Sequence, residues 1–179
     1  MLYWLLMFFL LVFPFFWLRV IKSWSWEKIK LEMFSKFKGW KKELTGSITL
    51  LILMLVAYFV LVGLLSLIGL NDLEKVSQIV NGEILNGLGL FILTVIIIVF
   101  IEEIFFRAFL VKRTGIIIAT IIFTLAHIGY NSIAELVGVF VLGLILAYWY
   151  KKTNSLTQVY IAHLIYNLFA IAMYIMVMK

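Results

Sequence analysis

Long apolar runs separated by short polar or basic connections make up most of the chain, at 2–20, 47–70, 88–110, 115–130, 133–150 and 157–178. A hydrocarbon core about 30 Å thick takes ~20 apolar residues per crossing helix, so the pattern predicts about six membrane helices, the fourth of them short. Unbroken runs of this kind, without two-residue alternation, do not suit a transmembrane barrel. The turn Gly129-Tyr130-Asn131-Ser132 is tight enough to make the fourth and fifth helices an antiparallel hairpin. A different period lies between the first two runs. There Trp26, Ile29, Met33, Phe37, Trp40 and Leu44 recur at steps of three and four with lysines between them, which predicts an amphipathic helix over Trp24 to Leu44, lying in the headgroup layer. The expected fold is therefore all-α: a polytopic transmembrane helix bundle with about six membrane helices plus an amphipathic cytoplasmic interfacial helix. It reads as one integral domain, with two membrane segments and the interfacial helix in 1–87 and a polar-bearing core in 88–178.

Composition agrees with the pattern. The 179 residues are 65% hydrophobic and 13% charged, against roughly 45–50% apolar in soluble domains. A single proline, Pro14, and the lack of any low-complexity tract leave no linker. The first run has no positive residue before it and no A-x-A-like site after it, so it is expected to stay as an anchor. The absence of cysteine excludes a disulfide, a thiolate metal site and a cysteine nucleophile.

The net charge of +6 is concentrated in three connections. Arg19, Lys22, Lys28, Lys30, Lys36, Lys38, Lys41 and Lys42 follow the first run, Lys112 and Arg113 the third, and Lys151 and Lys152 the fifth. The alternate connections carry Asp72, Glu74, Lys75 and Glu83, or no basic residue at all. By the positive-inside rule the basic connections are cytoplasmic and both termini extracytoplasmic. The chain is expected to be a multi-pass protein of a prokaryotic cell membrane. Its basic residues are expected to meet anionic lipid headgroups rather than nucleic acid.

Few ionisable residues interrupt the apolar runs, and they are the candidate chemistry. Glu102, Glu103 and Arg107 lie in the third run, His127 in the fourth, His163 with Asn167 in the sixth, and Glu135, taken as an interfacial residue, at the start of the fifth. A charge at the centre of a membrane helix costs about 2.5–3.5 kcal/mol on insertion scales, so such groups need partners or a purpose. At 1.5 Å per residue from the basic boundaries, Glu102 lies ~15 Å deep, His127 ~20 Å, His163 ~12 Å and Asn167 ~18 Å. One common site is compatible with those depths. Glu103 and Arg107, at i and i+4, can pair on one face, while Glu102 points about 100° away. His163 and Asn167 share a face in the same way, and so do Phe123 and His127. Taken singly, each histidine has a plain structural explanation as a helix-to-helix hydrogen-bonding group. Taken together they suit hydrolysis. Glu102 can take a proton from water, an imidazole can orient that water and neutral donors can hold an oxyanion.

Three motifs carry a family resemblance. Glu102-Glu103-Ile104-Phe105-Phe106-Arg107 is similar to E-E-x-x-x-R, Phe123-Thr124-Leu125-Ala126-His127 to F-x-x-x-H, and His163-Leu164-Ile165-Tyr166-Asn167 to H-x-x-x-N. In this order they resemble the signatures of the CPBP family, also called Abi: the CAAX proteases and bacteriocin-processing enzymes, intramembrane glutamate proteases related to the type II CAAX prenyl endopeptidases. The resemblance covers roughly 88–178 and implies a membrane-embedded peptidase core. It implies Glu102 as the base activating water together with His127, His163 and Asn167 as stabilisers of the oxyanion, and Glu103 with Arg107 as support. It also implies a glutamate-dependent hydrolase needing no cofactor, although one Glu and two His could by residue type hold zinc. Prenyl endopeptidases of the family tend to carry eight helices and this chain has room for about six. Its peptide or lipidated-protein substrate is accordingly open among a prenylated CAAX protein, a bacteriocin precursor and a signalling-peptide precursor.

Other intramembrane protease types fit poorly, because H-E-x-x-H and G-x-S-x-G are absent and the only Asp, Asp72, lies outside the runs. Two further functions stay open from the residues: a non-catalytic membrane immunity or scaffold protein of the same fold, and a small proton-coupled transporter. The lack of an internal repeat weighs against the transporter.

Overall fold

The computed structural model describes residues 2–34, 37–70 and 72–177, and among them every regular element is helical. Lys36, one of the basic residues of the first connection, lies outside the described residues. In chain order the elements are α1 (Leu2–Phe16), a wide π turn (Trp17–Ile21), α2 (Trp26–Met33), α3 (Trp40–Leu67), α4 (Glu74–Leu85) and α5 (Leu88–Glu102). A π-helical segment (Glu103–Val111), α6 (Lys112–Leu125), a 3-10 turn (Ile128–Tyr130), α7 (Ile133–Thr153) and α8 (Leu156–Val177) complete it. Helices satisfy their own backbone polar groups, which lipid cannot do. Five helical runs are long and apolar enough to cross a membrane, so the chain is an all-α, multi-pass membrane bundle.

The third of those runs, Leu88–Tyr130, is 43 residues long, roughly twice what one crossing takes. It is folded back on itself. The rings of Phe106 and Phe123 meet with centroids 4.9 Å apart, whereas residues this far apart in a straight helix would be separated by about 25 Å. The fold-back occurs at Gly115, whose φ of 83° lies in the region glycine adopts without a side-chain clash. All six expected segments are therefore present. The fourth is only a return arm, however, since α6 has 14 residues, or ~21 Å. His127, expected inside that helix, lies just beyond its end, ahead of the 3-10 turn.

The expected interfacial helix is divided. α2 ends at Met33, and α3 starts at Trp40 after Gly39, whose φ is 91°. Trp26, Phe37, Trp40 and Leu44 are exposed as a lipid-facing set would be, but Ile29 and Met33 are buried in the main core. Periodicity alone could not separate a face that meets lipid from one that meets the bundle. A second difference is α4, read from sequence as a polar connection. It buries Val76 and Val80 against Ile171, with Phe91, Tyr130 and Tyr174 around them.

The basic connections gather at one end of the bundle. Lys112 Nζ donates to the Glu32 carbonyl, Arg113 reaches the Glu32 carboxylate at 3.9 Å, and Lys38 Nζ donates to the Thr153 carbonyl. Glu43, fully buried, accepts from the Lys38 amide and from Ser155 Oγ, tying the start of α3 to the start of α8. Gln158 adds two more ties, donating to the Lys42 carbonyl and accepting from Trp149 Nε1. Glu43 is unremarkable in sequence because its side-chain partner, Ser155, lies more than a hundred residues away.

At the opposite end Asp72 fixes the start of α7. Its carboxylate accepts from Ser132 Oγ at 2.8 Å and from the amides of Ile133 and Ala134 at 2.8 and 3.0 Å. The Ser132 hydroxyl first, then the Ile133 amide, hold its pKa down to about 2. A depressed carboxylate contributes stability that is present above its unfolded pKa and lost as pH falls through the folded one. The thermal midpoint of the wild type should therefore exceed that of Asp72→Asn near neutrality, and the gap should close between about pH 4 and pH 2. A gap that persists unchanged at pH 2 would contradict this role.

Candidate functional site

The π-helical segment is buried on every side: all nine residues from Glu103 to Val111 are shielded from the surface. Wide turns of this kind are frequent at functional sites, and nothing in composition announces this one. Its first residue, Glu103, lies at the centre of the polar cluster. Arg107 Nη1 approaches Glu103 Oε1 at 3.2 Å, and His163 Nδ1 approaches the same oxygen at 2.7 Å. The arginine contact is an ion pair without hydrogen-bond alignment, since no guanidinium nitrogen makes a hydrogen bond among the described residues. Arg107 instead lies over the Phe123 ring, 4.2 Å from its centroid, a stabilising placement for a buried cation. The i, i+4 pairing expected for Glu103 and Arg107 is present. The link from Glu103 to His163 was not expected, because sequence spacing carries no signal for a contact between helices sixty residues apart.

Hydrogen-bond chemistry fixes both histidines in the same sense. His127 Nδ1 lies 2.9 Å from the Phe123 carbonyl. A carbonyl only accepts, so Nδ1 carries the proton and Nε2 of the neutral ring is left as an acceptor. This bond also satisfies an orphan carbonyl at the end of α6. His163 Nδ1 faces the Glu103 oxygen that also pairs with Arg107, an acceptor, so Nδ1 donates there too and Nε2 is again free. Both imidazoles pack on one ring, that of Phe123, with centroid separations of 4.6 Å for His127 and 6.1 Å for His163.

Glu102, one residue before Glu103, is 9% exposed, and among the described residues no donor hydrogen-bonds its carboxylate. Asn167 is half-buried one turn after His163, and its carboxamide makes no hydrogen bond among the described residues. The six candidate residues thus divide in two. Glu103, Arg107 and His163 are joined, and His127 is locked from its own helix. Glu102 and Asn167 present polar atoms that the protein leaves uncommitted.

Close packing holds α6 and α7 in register behind the cluster. A side-chain carbon built on Gly143 would lie 3.1 Å from Phe123 and 3.2 Å from Thr120, so glycine there lets the helix carrying Phe123 approach. Among the described residues no three His, Asp or Glu side chains come together in a metal-ligand arrangement.

Residues 84–169 match the family model described as type II CAAX prenyl endopeptidase Rce1-like. The match includes all six candidate residues and supports the CPBP, or CAAX protease, family. Comparison with the curated proteins and with the solved structures gives no match.

Proposed function

Taking residues 84–169 as a CAAX-protease-type domain, we propose that the chain is an intramembrane endopeptidase that hydrolyses a peptide bond of a membrane-associated peptide, using water activated by Glu102 and His127. The observation that carries this reading is the division within the cluster. Two imidazoles are fixed through Nδ1 with Nε2 free, and the buried carboxylate of Glu102, next in sequence to the Glu103 that holds one of them, is engaged by no donor among the described residues.

In this mechanism Glu102 accepts a proton from water oriented by His127 Nε2, and the water oxygen attacks the scissile carbonyl carbon. Negative charge develops on the carbonyl oxygen. The Asn167 carboxamide donates to it directly, and His163 does so from Nε2 when that nitrogen is protonated. Collapse breaks the carbon–nitrogen bond, and the proton held by Glu102 passes to the leaving amine. Glu103 acts through His163 by holding its Nδ1, and Arg107 pairs with Glu103.

The gathering of the basic connections at one end supports a cytoplasmic placement of that end. Both termini are then extracytoplasmic, and the substrate enters from the cytoplasmic side. The family match favours a prenylated CAAX-type peptide, with bacteriocin and signalling-peptide precursors as the alternatives. Metal independence is part of the proposal. Purified protein in lipid vesicles should cleave at least one peptide from a panel of prenylated CAAX-type and unmodified leader peptides, at a rate unchanged by a strong zinc chelator. Loss of cleavage on chelation, restored by zinc, would replace the glutamate mechanism with a metal one. Failure of a folded protein to cleave any member of the panel would favour the non-catalytic alternative.

A further inference from the structure

Glycine in the interior of a helix costs stability relative to alanine, yet Gly143 stands buried near the middle of α7. Close approach explains it, as small residues let membrane helices pack backbone to side chain. A methyl on Gly143 would meet Phe123 Cδ1 at 3.1 Å and Thr120 Cγ2 at 3.2 Å, inside the ~3.5–4.0 Å at which carbon atoms settle. Gly138 on the same helix is unlike it, since a methyl there would meet Leu61 at 4.0 Å, an ordinary contact. The chain turns back at Gly115 before it reaches Phe123, so the depth at which the return arm α6 seats is set by this packing against α7.

The Phe123 ring has little room to give. It is 3% exposed, with Arg107 over it at 4.2 Å and the Phe106 ring against it at 4.9 Å. A displaced ring therefore takes the arm with it, and the arm carries His127: Nδ1 is bound to the Phe123 carbonyl at 2.9 Å, and the two rings lie 4.6 Å apart. His163 is mounted elsewhere. It belongs to α8, is held by Glu103 of the π-helical segment at 2.7 Å, and reaches the same Phe123 ring at 6.1 Å. One ring thus touches two imidazoles carried by different elements, and the seating of the arm on Gly143 places one against the other.

We propose that Gly143 is a positioning residue: by admitting the Phe123 ring against the backbone of α7, it sets the place of His127 relative to His163. The water that His127 orients is thereby placed against the oxyanion that His163 helps to hold. Gly143 touches no reacting atom and acts through Phe123. This rests on the peptidase reading for its consequence in catalysis but on packing distances for its geometry.

Gly143→Ala is read in two ways, with Gly138→Ala as the control for the change of residue type. In peptide cleavage, kcat of Gly143→Ala should fall about tenfold while KM stays within about twofold, because a misplaced reacting group slows the chemical step without loss of binding. Gly138→Ala should match the wild type. The chain has two histidines, so magnetic resonance of ¹⁵N-histidine-labelled protein resolves each imidazole, with the assignment made by His127→Gln. The His127 ring resonances should shift in Gly143→Ala and hold in Gly138→Ala. Histidine resonances that do not move, a rise in KM with kcat unchanged, or an equal loss in Gly138→Ala overturns the positioning role and leaves the peptidase reading standing. A His127 shift confined to Gly143→Ala, with no peptide cleaved even by the wild type, supports the positioning role and overturns the peptidase reading. Neither shift nor cleavage overturns both. Should Gly143→Ala fail to fold, the same readings are taken on Gly143→Ala/Thr120→Ser, which keeps the methyl, removes one of the two close atoms and retains the hydroxyl that donates to the Ile116 carbonyl.

Discussion

Replacing Glu102 with glutamine should slow peptide cleavage by roughly 10²–10⁴-fold, the range a positioned general base contributes, while leaving the protein folded. The substitution preserves shape and removes only the basic oxygen. No hydrogen-bond donor among the described residues depends on that carboxylate, and eliminating a charge that is 9% exposed removes a desolvation cost rather than a contact. The thermal midpoint should therefore hold or rise. Cleavage at the wild-type rate by folded Glu102→Gln would remove Glu102 from the chemistry. Loss of the fold would show that the carboxylate has a structural partner.

The second large effect is on stability. Arg107→Ala leaves Glu103, fully buried, without its cation, and truncating one member of a buried ion pair costs about 3–5 kcal/mol. It also empties the volume over the Phe123 ring. Glu103→Ala should cost a similar amount for the converse reason, since Arg107 would be left among apolar neighbours with no hydrogen bond to compensate. The double variant Glu103→Leu/Arg107→Leu separates stability from function. With no charge stranded, much of the lost stability should return. His163, however, loses the acceptor that fixes its Nδ1 proton, so cleavage should stay impaired. Denaturant midpoints and cleavage rates on the wild type, Glu103→Leu, Arg107→Leu and the double variant form the cycle. Additive losses, with the double variant the least stable of the set, would show that the pair is not coupled.

Much of the bundle was legible because lipid imposes simple arithmetic on the chain. The six apolar runs, the hairpin at Gly129–Ser132 and the Glu103–Arg107 pair all follow from length and from helical spacing. The motif residues were readable for the same reason, as each motif is a local i, i+4 relation. What sequence could not supply is every contact made across helices. The Glu103–His163 bond, the Glu43–Ser155 tie and the Asp72 cap on α7 join residues sixty or more positions apart. Local rules also failed where two of them competed. Periodicity ran on through 24–44 although Gly39 interrupts the helix, and at the start of α7 the amides of Ile133 and Ala134 are taken by the distant Asp72 rather than by a residue of the helix itself. The π-helical segment has no compositional mark at all. Yet it places Glu103 between Arg107 and His163, and so decides which of two adjacent glutamates is bound and which is left for water.

The claim that water itself attacks the peptide bond, with Glu102 as its base, is tested most directly by a single turnover in H₂¹⁸O with enzyme in excess over peptide. General-base attack puts one ¹⁸O into the new carboxyl terminus in that first turnover and leaves the protein unlabelled. A product whose new carboxyl terminus carries no ¹⁸O, with the label found instead on the Glu102 carboxylate, would mean that Glu102 attacks covalently, and would contradict the account.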